Sequence, residues 1–174
     1  MRPDDSVADR ADALNARHGG KGGADAIRAA LADPAAGRVA LVSSFGAESV
    51  VLLHMVAEVA PDLPVLFVDT EMLFAETIAY QQEVARSLRL TGIRRITADP
   101  EELAFEDPDN TLYQFNTDAC CDLRKTRPLE RALKGFDAWI TGRKRFQATT
   151  RAALGLFGGE GCLLYTSDAA DEEE

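Results

Sequence analysis

Residues 39–59 read VALVSSFGAESVVLLHMVAEV. Val39, Ala40, Leu41 and Val42 make a short apolar run of the length a buried strand needs. Ser43, Ser44, Phe45 and Gly46 interrupt it with a turn of mostly small residues. Residues 48–59 then turn apolar nearly all round, through Val50, Val51, Leu52, Leu53, Met55 and Val56. That pattern predicts a buried helix. A strand that passes through a small-residue turn into a helix is the opening of a β-α-β unit.

The neighbouring sequence continues the alternation. Pro61 and Pro64 end the helix. Residues 65–68, Val-Leu-Phe-Val, form a second buried strand, closed by Asp69 and Thr70. Residues 74–88 predict a helix with Phe74, Ile78, Val84 and Leu88 near one face. Residues 93–97 are a third, weaker strand, and 99–104 a short helix or turn. Residues 105–116 read as an irregular loop. Residues 127–134 are helical, with Pro128 near the first turn, and 138–141 are a fourth strand. Residues 1–38 form a separate helical segment, broken by the glycines around Lys21. Alternating strands and helices imply a parallel sheet, and right-handed crossovers make it doubly wound. The fold class is therefore α/β and Rossmann-like. The α/β domain is placed at 39–161.

Composition sets bounds on function. The 174 residues carry a formal charge of −10 and are 46% hydrophobic. That is sufficient for one domain with a core. The acidic balance argues against nonspecific nucleic-acid binding. No apolar run reaches the length of a membrane span, and the polar N-terminus lacks the apolar core of a secretory signal. The expected compartment is the cytoplasm. Three cysteines, two of them adjacent, make no disulfide framework.

Residues 162–174, CLLYTSDAADEEE, do not continue the preceding pattern. Residues 162–172 resemble one reading frame of a sequencing adapter. They are expected to be a non-native tail, with Cys162 set aside. Removing the tail's five acids would leave a net charge of −5.

Ligands of open α/β sheets bind beyond the carboxyl ends of the strands, and polar clusters sit there. Ser43, Ser44, Phe45, Gly46, Ala47, Glu48 and Ser49 can turn backbone N–H groups and a helix N-terminus toward an anion. The plain alternative is a serine-capped turn. Neither the Walker A nor the G-x-G-x-x-G pattern is present. Asp69-Thr70-Glu71 offers an acid for a ribose hydroxyl or for a helix cap. Gly142, Arg143, Lys144, Arg145 and Gln147, with Arg151 beyond, crowd cations after a strand. Such a run suits phosphate or sulfate, or is a solvated face.

Cys120 and Cys121 are followed by Arg124 and Lys125. Adjacent cysteines rarely bridge each other. Thiolates bind soft metals and iron–sulfur clusters, and nearby cations favour the thiolate. The alternative is a pair of small buried apolar residues.

Together these segments resemble the adenosine-phosphosulfate reductases. Residues 43–49 look like that family's PP-loop, and residues 67–77, FVDTEMLFAET, look like its second motif. Residues 120–129, CCDLRKTRPL, are similar to its Cys-Cys-x-x-Arg-Lys-x-x-Pro-Leu motif. Residues 139–147, WITGRKRFQ, resemble its substrate-binding segment. The four occur in family order within 39–157.

The resemblance implies a PP-loop fold and reduction of adenosine 5′-phosphosulfate to sulfite and AMP in sulfate assimilation. It implies thioredoxin or glutaredoxin as reductant. It also implies a 4Fe-4S cluster, with Cys120 and Cys121 as two of four ligands and Lys125 coupling cluster to substrate electrostatically. A later Cys-x-x-C and a C-terminal nucleophilic cysteine belong to the family pattern. No Cys-x-x-C follows Cys121 and, with Cys162 set aside, no native C-terminal cysteine stands before Gly161, so this chain is expected not to turn over. Glu48 and Phe146 stand where relatives carry Asp. A homo-oligomer is compatible with the pattern; nucleic-acid and membrane partners are not expected. The alternatives are a PP-loop adenylyl-transfer protein, similar to the small subunit of ATP sulfurylase, and a cluster-free reductase of the 3′-phosphorylated substrate.

Overall fold

Strand β1 (Val39–Ser43) has four buried residues out of five, as a strand covered on both faces requires. Its side chains alternate. Val39 and Leu41 enter one core with Leu14, Ile27, Leu53 and Val56. Ala40 enters a second with Leu66, Leu133, Phe136 and Trp139. The two cores lie on opposite faces of one sheet, which is the doubly wound arrangement. The computed structural model describes residues 6–21, 23–45, 49–141, 157–160 and 163–166.

The sheet runs β3-β2-β1-β4-β6-β5. Its other strands are β2 (Val65–Val68), β3 (Ile93–Ile96), β4 (Ala138–Ile140), β5 (Phe157–Glu160) and β6 (Leu163–Thr166). Leu41 stands opposite Val65 on one side and Ile140 on the other. Pairing is parallel throughout except between β5 and β6. The first four strands match the expected parallel sheet. Within the stretch expected to be a tail, β6 pairs with β4, with Trp139 opposite Tyr165. Tyrosine and threonine suit a strand, and β6 takes the side of β4 that β1 does not.

The helices are α1 (Val7–His18), α2 (Gly23–Ala32), α3 (Val50–Val59), α4 (Ala75–Ser87), α5 (Pro100–Glu106), α6 (Leu112–Phe115), α7 (Thr117–Cys121) and α8 (Arg127–Leu133). Among the described residues no helix is long and apolar enough to cross a membrane.

Three expectations are corrected. Helix α3 is not buried all round: Leu52, Leu53, Met55 and Val56 are, while Val51, His54 and Glu58 form an exposed face. Phe74 does not join the buried face of α4 but is 79% exposed. It occupies the capping position before the first turn, outside the helical period. Residues 117–126, to which no element was assigned, are helical, and one turn of helix interrupts the expected loop.

Two polar anchors fix the N-terminal helices, one to the approach to β4 and one to each other. Arg10 is buried and donates to the carbonyls of Ala35, Ala36 and Asp137 at 2.7, 3.1 and 3.0 Å. Asp33 receives both arms of Arg17 at 2.9 Å, His18 Nε2 at 3.0 Å and the Ala35 N–H at 3.0 Å. Lys21 donates to His18 Nδ1, which leaves Nε2 to carry the proton that Asp33 accepts.

Burial alone would raise the Asp33 carboxyl, but the hydrogen bonds from Arg17, Ala35 and His18 outweigh it and lower it to about 2. A depressed carboxyl stabilises the fold fully above its unfolded value and loses that contribution as pH falls toward the folded one. Asp33→Asn should therefore cost about 2 kcal/mol at neutral pH. The gap from the parent chain in urea unfolding should close as the pH approaches the folded value. A gap unchanged between pH values of about 7 and 2.5 would contradict this assignment.

Candidate functional site at the strand ends

The chain runs outward from β1 to β2 to β3, then returns to the other side of β1 as β4. The carboxyl ends of β1 and β4 thus flank the switch point where such sheets bind ligands. Ser43 ends β1 and Thr141 follows β4, and both are buried. The Ser43 hydroxyl accepts the Phe45 N–H at 3.1 Å. Phe45 itself has φ 58, a left-handed conformation unfavourable for a bulky residue. Its ring is buried and meets Phe67 edge-on at 5.4 Å, which offsets that cost. Ser44 is exposed. Ser49 precedes α3 but makes no side-chain cap bond. The serine therefore stabilises the turn, not the helix. Gly46, Ala47 and Glu48 lie outside the described residues.

At the end of β2, Asp69 is buried and both its oxygens are engaged. Oδ1 accepts the Glu71 N–H at 2.7 Å, and Oδ2 accepts Arg95 Nε from β3 at 2.6 Å. It does not cap α4, whose capping residue is Phe74. Glu71 takes φ 64, so the chain reverses sharply after the strand. Thr70 turns its hydroxyl to the Met72 N–H and its carbonyl to Arg124.

The cysteine pair closes α7, which Asn116 caps by accepting the Ala119 N–H. Successive helical residues point about 100° apart. Cys120 is accordingly buried and Cys121 exposed, both as free thiols. A π-helical turn (Asp122–Thr126) follows directly, in which the Arg127 N–H reaches back five residues to the Asp122 carbonyl. Pro128 supplies a reason: it has no N–H for the Arg124 carbonyl, so the turn before it widens. Such turns are frequent at functional sites. Lys125 is exposed within it.

Arg124, in the same turn, is 2% exposed. Nη1 donates to the Thr70 carbonyl at 2.9 Å, and Nη2 to Asp107 Oδ2 at 2.7 Å and Asn110 Oδ1 at 2.8 Å. Asp107 Oδ1 takes the N–H groups of Thr111 and Leu112 at 2.9 and 3.0 Å. Burial would raise the Asp107 carboxyl, but the Arg124 hydrogen bond and the two backbone donors hold it below the ordinary carboxylate value. Asp107 and Asn110 fall in the stretch expected to be an irregular loop. The Asp-Pro-Asp-Asn run at 107–110 is a turn signal, and a buried arginine elsewhere demands a carboxylate. Arg127 likewise binds Asp122 and Glu106, pinning α8 to α5.

The structure therefore joins the second and third motifs through Arg124, and Ser43 of the first ends β1, the strand next to β2. Gly142, Arg143, Lys144, Arg145, Gln147 and Arg151 lie outside the described residues. As metal donors, the two thiols have the right chemistry for iron and sulfide. Among the described residues no group of three or more His, Cys, Asp or Glu side chains could hold a metal ion. The pair fits part of a ligand set, not a whole one.

Comparison with known proteins extends this picture. Residues 38–159 match the family model for the phosphoadenosine phosphosulfate reductase domain. The adenosine 5′-phosphosulfate reductase of Mesorhizobium japonicum is 45% identical over 176 residues, covering 97% of this chain and 69% of that protein. The enzyme of the same name from Chelativorans sp. is 47% identical over 125 residues, covering 72% of this chain and 51% of its own length. The crystal structure of phosphoadenylyl-sulfate reductase from Candida auris, a phosphate complex, superposes with a TM-score of 0.72. It covers 91% of this chain and 77% of its own, at 24% identity, and supports the fold.

The thiol geometry makes a direct prediction. In the metal-free chain, iodoacetamide should modify Cys121 at least about tenfold faster than Cys120, because the buried thiol reacts only through local opening. Peptide mapping by mass spectrometry reads the two sites separately. Equal rates would show that the helix does not hold the pair as described.

Proposed function

Because the chain belongs to the phosphoadenosine phosphosulfate reductase domain family, we propose that it serves the reduction of adenosine 5′-phosphosulfate to sulfite and AMP in sulfate assimilation. The observation that carries this reading is the 2.9 Å bond from Arg124 to Thr70, which fastens the cysteine-bearing helix to the strand-end turn. That bond supports reading the proposed nucleotide turn and the thiol pair as parts of one site.

Reduction begins when a thiolate attacks the sulfate sulfur. The sulfur–oxygen bond to the phosphate breaks, AMP leaves with the electron pair, and an S-sulfonate remains. A second thiol, from thioredoxin or glutaredoxin, then attacks the S-sulfonate, releasing sulfite and leaving a disulfide. The attacking cysteine belongs to the C-terminal pattern of the family. This chain's own contribution is to bind and orient. The turn of Ser43, Ser44, Phe45, Gly46, Ala47, Glu48 and Ser49 is proposed to face the departing phosphate, where donors matter most as charge develops. Arg143, Lys144, Arg145 and Arg151, with Gly142 and Gln147, are proposed to hold the phosphosulfate in line. Asp69, whose two oxygens each accept one bond and can accept a second, is proposed to bind substrate with Thr70 from the turn it holds.

Cys120 and Cys121 are proposed to hold two positions of a 4Fe-4S cluster, which takes four thiolates. When bound, such a cluster supplies a charged, polarisable iron–sulfide group, and Lys125 is the residue proposed to couple that charge to the substrate. The cysteine pair also favours the 5′-phosphosulfate over its 3′-phosphorylated form.

Nucleotide binding tests the reading. By isothermal titration, AMP and adenosine 5′-phosphosulfate should bind the chain, with ATP weaker by at least about tenfold. Arg143→Ala should weaken adenosine 5′-phosphosulfate more than AMP, because it removes a sulfate contact. Preference for ATP would point instead to adenylyl transfer.

A further inference from the structure

The hook formed by Asp107 and Asn110 belongs to none of the motifs that suggested the function. Yet it holds the residue that joins two of them. Arg124 has five N–H donors in a fixed plane. Its Nη1 is spent on Thr70, its Nη2 on Asp107 and Asn110. Its Nε is buried and has no acceptor among the described residues. The orientation of the guanidinium is thus set by its two amino groups alone, and Asp107 and Asn110 set one of them.

Asp107 is itself locked. One carboxylate oxygen takes two backbone donors at the start of α6, and the other takes Arg124. Asn110 stands at φ 57, so its side chain reaches Arg124 from a reversed backbone. On the far side, Thr70 lies between Asp69, fixed to Arg95, and Glu71, in a left-handed turn. Three segments distant in sequence therefore meet at one guanidinium, and one of them carries Cys120 and Cys121.

We propose that Asp107 and Asn110 are positioning residues that, through Arg124, hold the cysteine pair and the Asp69–Glu71 turn as one unit, so that nucleotide at the strand ends and the reactivity of the thiols are coupled. The coupling rests on the nucleotide reading above; the positioning does not. Coupling is reciprocal: a nucleotide that tightens the turn protects the thiol, and loss of the hook weakens the nucleotide. A buried arginine left without its carboxylate must find water or move. Either event opens the packing around Cys120.

The test uses the 174-residue chain, iodoacetamide as thiol probe and AMP as ligand. Asp107→Asn keeps size but removes the charge facing Arg124, and Asn110→Ala is the milder second variant. Asp33→Asn, remote from the site, is the control for lost stability. Alkylation of Cys120 should rise at least about tenfold in Asp107→Asn, and less in Asn110→Ala. AMP should slow it in the parent and in Asp33→Asn, but not in Asp107→Asn. If Asp33→Asn raises Cys120 alkylation as much at matched melting temperature, the hook is only structural and the positioning role is overturned. If AMP still protects Cys120 in Asp107→Asn, the coupling is overturned. If AMP binds no form of the chain, the nucleotide reading and the coupling fall together. The contrast between Asp107→Asn and Asp33→Asn then still decides the positioning role.

Discussion

A buried guanidinium must be given acceptors, and the groups that meet Arg124 are arranged around that constraint. Its 2% exposure obliges the protein to bring acceptors to it. They come from Thr70 at the end of β2, from Asp107 after α5 and from Asn110 in the following turn. None of these could be satisfied by a helix packing on the sheet through apolar contacts alone. Arg124 therefore ties the cysteine-bearing helix to the turn after β2 through Thr70, and to the turn after α5 through Asp107. The apolar cores on the two faces of β1 set the position of the sheet and its covering helices. The arginine sets the chemistry at their edge.

The legibility of the fold follows from the kind of force that made each part. β1, β2 and β4 are buried strands, and such strands announce themselves as unbroken apolar runs. The turn after β1 was visible because small residues between two apolar segments have few other uses. Periodicity was less reliable at element ends. Phe74 matched the spacing of the buried face of α4 but stands in the capping position and faces solvent. Val51 likewise looked like core, although His54 and Glu58 share its exposed face. An apolar side chain one turn from one polar residue and two turns from another is weak evidence of burial.

The site was legible as motifs and illegible as contacts. Cys120, Cys121, Arg124 and Asp69 stood out because their residue types carry chemistry. Asp107 and Asn110 did not, because their meaning lies in a partner 17 and 14 residues away, in a stretch with no period. The role of Asp69 was read as a choice between ribose and helix cap. In the structure Oδ1 holds a turn through the Glu71 N–H, and Oδ2 takes Arg95 from the neighbouring strand β3. A single polar residue at a strand end has several local uses, and long-range partners choose among them.

The widened turn at Asp122–Thr126 has one further consequence. A helix is a screw, and one residue more or less in a turn resets its thread by about 100°. The cysteines lie on one side of that turn and the buried Pro128 and Leu133 on the other. Adding a residue here, where the turn is already widened, would rotate one end against the other. The thiol now facing inward would be carried round the axis, and its exposed neighbour would turn toward its place. The spacing between the cysteine pair and the following proline thus acts as an angular setting, and its length is constrained as tightly as its residues.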